Sequence, residues 1–159
     1  MDEDHKDPNW KKVVALYIAC VVALVFQFVP QPSLQMASII MLIVIVAVIK
    51  FMRRSAEKDS LMHNHATYLS RTISIWSLLL LISLTAAGLY VRQFYDFEQL
   101  LDIIQSFSAG KIETPEAKHL ALIGTASMIP STLYLFYRVA RGFHRAIKGY
   151  RLAKPKSFF

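Results

Sequence analysis

The sequence predicts an all-α integral membrane protein: a bundle of four transmembrane helices with both termini cytoplasmic. Three observations predict it. Four apolar stretches, at residues 13–29, 34–52, 73–91 and 120–137, are each long enough to cross a hydrocarbon core ~30 Å thick. The chain of 159 residues is 55% hydrophobic, which leaves too little polar sequence for a separate soluble core. Fifteen of the 18 Lys and Arg residues also fall in alternate connections. Lys6, Lys11 and Lys12 precede the first stretch, Lys50, Arg53, Arg54, Lys58 and Arg71 surround the second connection, and seven cations follow the fourth stretch. Because cytoplasmic loops retain Lys and Arg, this alternation orients the chain. Residues 1–159 read as one membrane domain.

The first stretch begins after Asp7-Pro8-Asn9, a helix-start pattern, with Trp10 at head-group depth. Residues 1–7 carry four of the chain's acidic residues, unlike the basic start of a secretory signal, so the first span reads as an uncleaved anchor. The single cysteine, Cys20, rules out an intramolecular disulfide and reads as a small packed side chain. Pro30-Gln31-Pro32-Ser33 closes a tight hairpin to the second span, whose nearly pure apolar run predicts broad contact with lipid.

Residues 50–71 read as a cytoplasmic connection. Ser70, Ser74, Ser77, Thr85 and Gly88 recur along the third span, and Gly124, Ser127, Ser131 and Tyr134 along the fourth. Lipid provides no hydrophobic drive between helices, so small and hydroxyl residues mark faces of close approach. Ser74, Ser77, Gly88, Gly124, Ser127 and Ser131 are therefore the helix-packing candidates. Pro130 is expected to kink the fourth span.

The outer segment, residues 92–119, contains an amphipathic stretch. Phe94, Phe97, Leu101, Ile104 and Phe107 share its apolar face and are the partner-contact candidates; Glu98 and Asp102 lie opposite. Ser108-Ala109-Gly110 is a stop signal, and Thr114-Pro115-Glu116 starts another helix. In the tail, residues 138–159, Arg138, Arg141, Arg145, Lys148 and Arg151 recur along one side. They predict a basic interfacial helix bound to anionic phospholipids. The net charge of +7 is explained by those head groups, and no nucleic acid is expected as a partner.

Little in the chain points to chemistry. The middle of every span is free of Asp, Glu, Lys, Arg and His, which argues against a proton-coupled transporter or ion pump. His63 and His65 are two residues apart with no Cys or third His nearby, so they read as loop histidines rather than metal ligands. His119 reads as an interfacial anchor and His144 as a solvated side chain. No phosphate loop, nucleophile elbow or zinc-protease helix is found. Neither a cofactor nor a catalytic residue is expected.

Residues 65–72, His-Ala-Thr-Tyr-Leu-Ser-Arg-Thr, lead into the third span. Residues 137–143, Tyr-Arg-Val-Ala-Arg-Gly-Phe, leave the fourth, and Lys154-Pro155 closes the tail. These segments resemble a family of small bacterial inner-membrane proteins of unknown function. That family is distantly similar to a chloroplast inner-envelope import component and to MamF-like magnetosome proteins. Two features depart from its pattern: Ile73 replaces an aromatic residue after Arg-Thr, and residues 93–118 replace a tight turn. The resemblance implies a compact helical bundle in the bacterial inner membrane that acts through other proteins. The expected role is a non-enzymatic accessory or assembly subunit of a larger complex, with other integral membrane subunits as partners. The alternative is a homo-oligomeric transport or channel component lined by the hydroxyl stripes.

Overall fold

A computed structural model describes residues 7–29, 32–108 and 114–156. The acidic residues before Asp7, the 30–31 turn, the 109–110 helix stop and the side chains of Gln35 and Phe107 lie outside the described residues. The described chain is helical, in five elements: α1 Trp10–Phe28, α2 Pro32–Ser55, α3 Leu61–Val91, α4 Phe97–Ser108 and α5 Pro115–Ile147. Four of these, α1, α2, α3 and α5, are long and apolar enough to cross a membrane.

Local chemistry sets the ends. Asp7 accepts from the Asn9 backbone N–H at 2.8 Å and fixes the start of α1. Its second oxygen accepts from the N–H of Leu61, the first residue of α3, at 3.3 Å. A carboxylate is favoured there by the exposed N–H groups of a helix start. Ser60 caps the same helix, its Oγ accepting from His63 N–H at 3.1 Å. The last turn of α2 carries Arg53 and Arg54, which suit the negative end of its dipole. For α4, Gln99 reaches back to the Asp96 N–H at 3.1 Å, the reciprocal half of a capping box. Thr114 Oγ1 accepts from Ala117 N–H at 3.2 Å, with Pro115 in the first helical position.

Two expectations change. Helix α3 begins at Leu61, so the connection after α2 shrinks to residues 56–60, and His63 and His65 are helical, not loop residues. At ~1.5 Å per residue, the 31 residues of α3 exceed a ~30 Å core by about ten residues. The excess is the polar start, ahead of Ile73. The basic tail is not a separate interfacial helix either: α5 continues unbroken through Arg138, Arg141 and Arg145 to Ile147. It ends where Gly149 takes φ 71°, the left-handed conformation that glycine adopts without a Cβ penalty. Gly149 N–H then bonds Ala146 O, and Tyr150 N–H bonds Arg145 O.

The chain divides into two compact units. One comprises residues 7–75 and 135–156 among those described, the other residues 76–134. In the first, α1 buries Val13, Leu16, Tyr17, Cys20, Ala23 and Leu24, and α2 buries Ser38, Ile45 and Ile49. Both sets follow helical spacing along one face. Ser38 Oγ donates to Ala23 O at 2.8 Å, a close approach that only small side chains permit. The opposite face of α2, from Met36 through Ile43 to Phe51, is exposed and apolar, as a lipid-facing surface would be. In the second unit, α4 buries Ile103 and leaves Phe97, Leu101 and Ile104 exposed. Tyr95 and His119 Nδ1 are hydrogen-bonded at 2.8 Å.

Replacing Ser38 with Leu overpacks the α1–α2 contact and is expected to cost roughly 1–3 kcal/mol. Val44→Leu on the exposed face should stay within about 0.5 kcal/mol. Thermal unfolding of both variants in one detergent checks the difference.

Candidate functional site

The polar start of α3 is the part of the first unit where side-chain chemistry is concentrated. Its residues 64–69 are all buried, although three of them are Asn, His and Thr. Buried polar groups of this kind require partners, and most find them on other elements. His65, with no exposed surface, places Nε2 3.0 Å from the Tyr150 carbonyl and Nδ1 3.1 Å from the Tyr17 hydroxyl. A carbonyl only accepts, so Nε2 carries the proton. Nδ1 is then the acceptor, and Tyr17 donates to it. One imidazole in one neutral tautomer thus joins α1, α3 and the tail. The Tyr17 and His65 rings meet edge to face at 5.6 Å. Gly142 of α5 lies against Tyr17 so closely that a Cβ would overlap the phenol ring.

Next to His65, Asn64 uses its whole amide on Leu152. Its Nδ2 donates to Leu152 O at 3.0 Å, and its Oδ1 accepts from Leu152 N–H at 2.8 Å. One turn further along, α3 and α5 clasp each other. Tyr68 donates to Arg138 O at 3.0 Å, and the Arg138 guanidinium lies over the Tyr68 ring at 3.9 Å. Arg138 Nε donates to Thr72 Oγ1 at 3.2 Å, while that hydroxyl donates to Tyr68 O at 2.8 Å. Arginine suits this position because a planar guanidinium can stack and hydrogen-bond at once.

Beside this joint opens a pocket of about 810 Å³, between the start of α3 and the tail. Lys58, Asp59, His63, Thr67, Arg151 and Lys156 line it, together with Asn64, Leu152, Ala153 and Pro155. Arg151 and Asp59 form an exposed ion pair at 3.5 Å. His63 is turned by its Nδ1–H, which donates to Arg53 O at 3.0 Å. Thr67 Oγ1 is buried and has no hydrogen-bond partner among the described residues. Among those residues no three His, Cys, Asp or Glu side chains cluster as a metal site.

The residues singled out in the sequence are dispersed. Arg138 is fully buried, whereas Arg141, Arg145, Lys148 and Arg151 are exposed, so the basic row does not present one continuous lipid-facing side. Gly88 and Gly124 face open space, with nothing within 4 Å of a Cβ built on either. The hydroxyls of Ser74 and Ser127 donate to carbonyls of their own helices, and Ser77 is exposed. Ser131 is buried, bonded to Met128 O. Phe94, Phe97, Leu101 and Ile104 are exposed. Sequence reasoning missed Tyr17, Asn64 and the inward turn of Arg138. A signal for them existed, since the short segments 65–72 and 137–143 are the ones that interlock. Compared with protein-family models, curated proteins and solved structures, the chain matches none.

Two outcomes test the joint. Tyr68→Phe and Arg138→Lys should each destabilise, and a double-mutant cycle should give a coupling of about 0.5–3 kcal/mol in thermal unfolding. Burial also holds the His65 imidazole below its ordinary range, against an opposing pull from the Tyr150 carbonyl. The unfolded chain therefore takes up this proton first as pH falls. The His65 contribution is complete above an unfolded pKa of about 6.5 and declines below it, by at most about 1.4 kcal/mol per pH unit. Unfolding measured from pH 7.5 to 5 should show that decline, and His65→Gln, which donates and accepts without titrating, should reduce it.

Proposed function

We propose that this chain is a non-enzymatic accessory or assembly subunit of a larger bacterial inner-membrane complex, with both termini in the cytoplasm. The observation that carries the reading is α4. At ~1.5 Å per residue its 12 residues reach about 18 Å, too short to cross a bilayer, yet Phe97 is 74% exposed and Leu101 and Ile104 are exposed beside it. An apolar face outside the spans calls for a cover. Anionic lipid is a poor one, because α4 carries Glu98 and Asp102 and no cation. A neighbouring subunit with an apolar, cation-rimmed surface fits better.

The buried polar joint supports the same reading. Both ring nitrogens of His65 are engaged in holding helices and tail together, which gives the residue a structural role. Exposed Arg141, Arg145 and Lys148 at the end of α5 suit anionic phospholipid on the cytoplasmic side. The rival reading is a homo-oligomeric transport or channel component, and the open space around Gly88 and Gly124 favours contact with a second copy.

Purification from its native membrane in mild detergent should yield the chain with other integral subunits. Phe97→Asp combined with Leu101→Asp should release them. A wild-type protein that runs only as a monomer overturns the proposal, and solute flux through liposomes holding the pure chain would replace it with the transport reading.

A further inference from the structure

The pocket beside the joint has no part in the proposed subunit contact, and its lining is specific. Lys58, Arg151 and Lys156 stand around it against one carboxylate, Asp59, a formal excess of +2. The carboxylate is a weak competitor: Asp59 is 98% exposed and its pair with Arg151 is half-exposed. Solvated pairs of this kind are weak. The walls are built rather than incidental. Asn64 pins the tail through both bonds to Leu152, and His63 is fixed by Arg53 O. In the lining sits Thr67, more than nine-tenths buried, whose hydroxyl finds no partner among the described residues. A buried hydroxyl left without a hydrogen bond is costly unless something supplies the bond.

We infer that this pocket binds a phosphate group. A phosphate presents several acceptor oxygens to the three cations and another to the Thr67 hydroxyl. A volume of about 810 Å³ also accommodates the organic portion that carries it. The pocket lies ahead of the apolar part of α3, so the group can come from an anionic phospholipid head group or from a soluble phosphate ester. Arg151 belongs to this pocket rather than to a row continuous with Arg141 and Arg145.

The test uses the full chain in nanodiscs, in two arms. In phosphatidylcholine discs, inorganic phosphate and glycerol phosphate are titrated by calorimetry. In discs containing phosphatidylglycerol, lipid retained by the protein is counted by native mass spectrometry. Lys58→Gln combined with Lys156→Gln should weaken binding about tenfold or more in at least one arm. Arg145→Gln, an exposed change outside the pocket, should leave both arms unchanged. Thr67→Val should weaken binding several-fold without lowering the unfolding temperature of the ligand-free protein, which separates recognition from packing. Sensitivity in the first arm identifies a soluble ester, and in the second a lipid head group. Equal behaviour of the double lysine variant and Arg145→Gln in both arms overturns the inference. None of these readouts depends on co-purifying subunits, so the pocket and the subunit proposal fail or stand separately.

Discussion

A buried imidazole that donates from one nitrogen and accepts at the other is the constraint on which the first unit depends. His65 has no exposed surface, so neither nitrogen can turn to water. Tyr150 O dictates the tautomer, and the tautomer dictates that Tyr17 donate. Tyr17 in turn occupies the space that a side chain at position 142 would need, which leaves glycine there. Four positions far apart in the chain are thus tied by one proton's location.

The polar contacts matter because of where they are. Within lipid, apolar side chains do not drive helices together as they do in water, and packing with hydrogen bonds has to supply the attachment. The α1–α2 hairpin relies on small residues, Ser38 against Ala23. The α3–α5 contact lies beyond the apolar stretches, ahead of Ile73 and after Tyr137, and relies instead on Tyr68, Thr72 and Arg138. An internal arginine is expensive to desolvate, and breaking such a cluster by removing one member typically costs more than the intact cluster contributes. Such a contact specifies one relative setting of α3 and α5 in this unit more than it adds stability.

The four apolar stretches were legible because length and hydropathy are local properties, and the Thr114-Pro115 start was legible because a cap is local too. Failures came where the decisive partner is remote. Residues 61–72 look like a polar loop until Asp7 and Ser60 are seen capping the helix that contains them. Arg138 fits the 3,4 periodicity of Arg141 and Arg145, and only the position of Tyr68 shows that it points inward. Ser74 and Gly88 obey the small-residue rule, yet periodicity cannot say whether another helix arrives to use it. The pocket was invisible for the same reason: its walls come from two remote segments, one around Lys58, His63 and Thr67 and the other around Arg151 and Lys156.

The bonds between Asn64 and Leu152 span 88 positions, and the one from His65 to Tyr150 spans 85. During synthesis both polar side chains emerge long before their acceptors and donors exist. They must wait while three further helical segments, α3's own apolar part among them, are made. The joint can therefore fasten only after α5 is made and residues 150–152 have returned to α3. A chain in which α5 does not reach α3 leaves that histidine and asparagine without these partners.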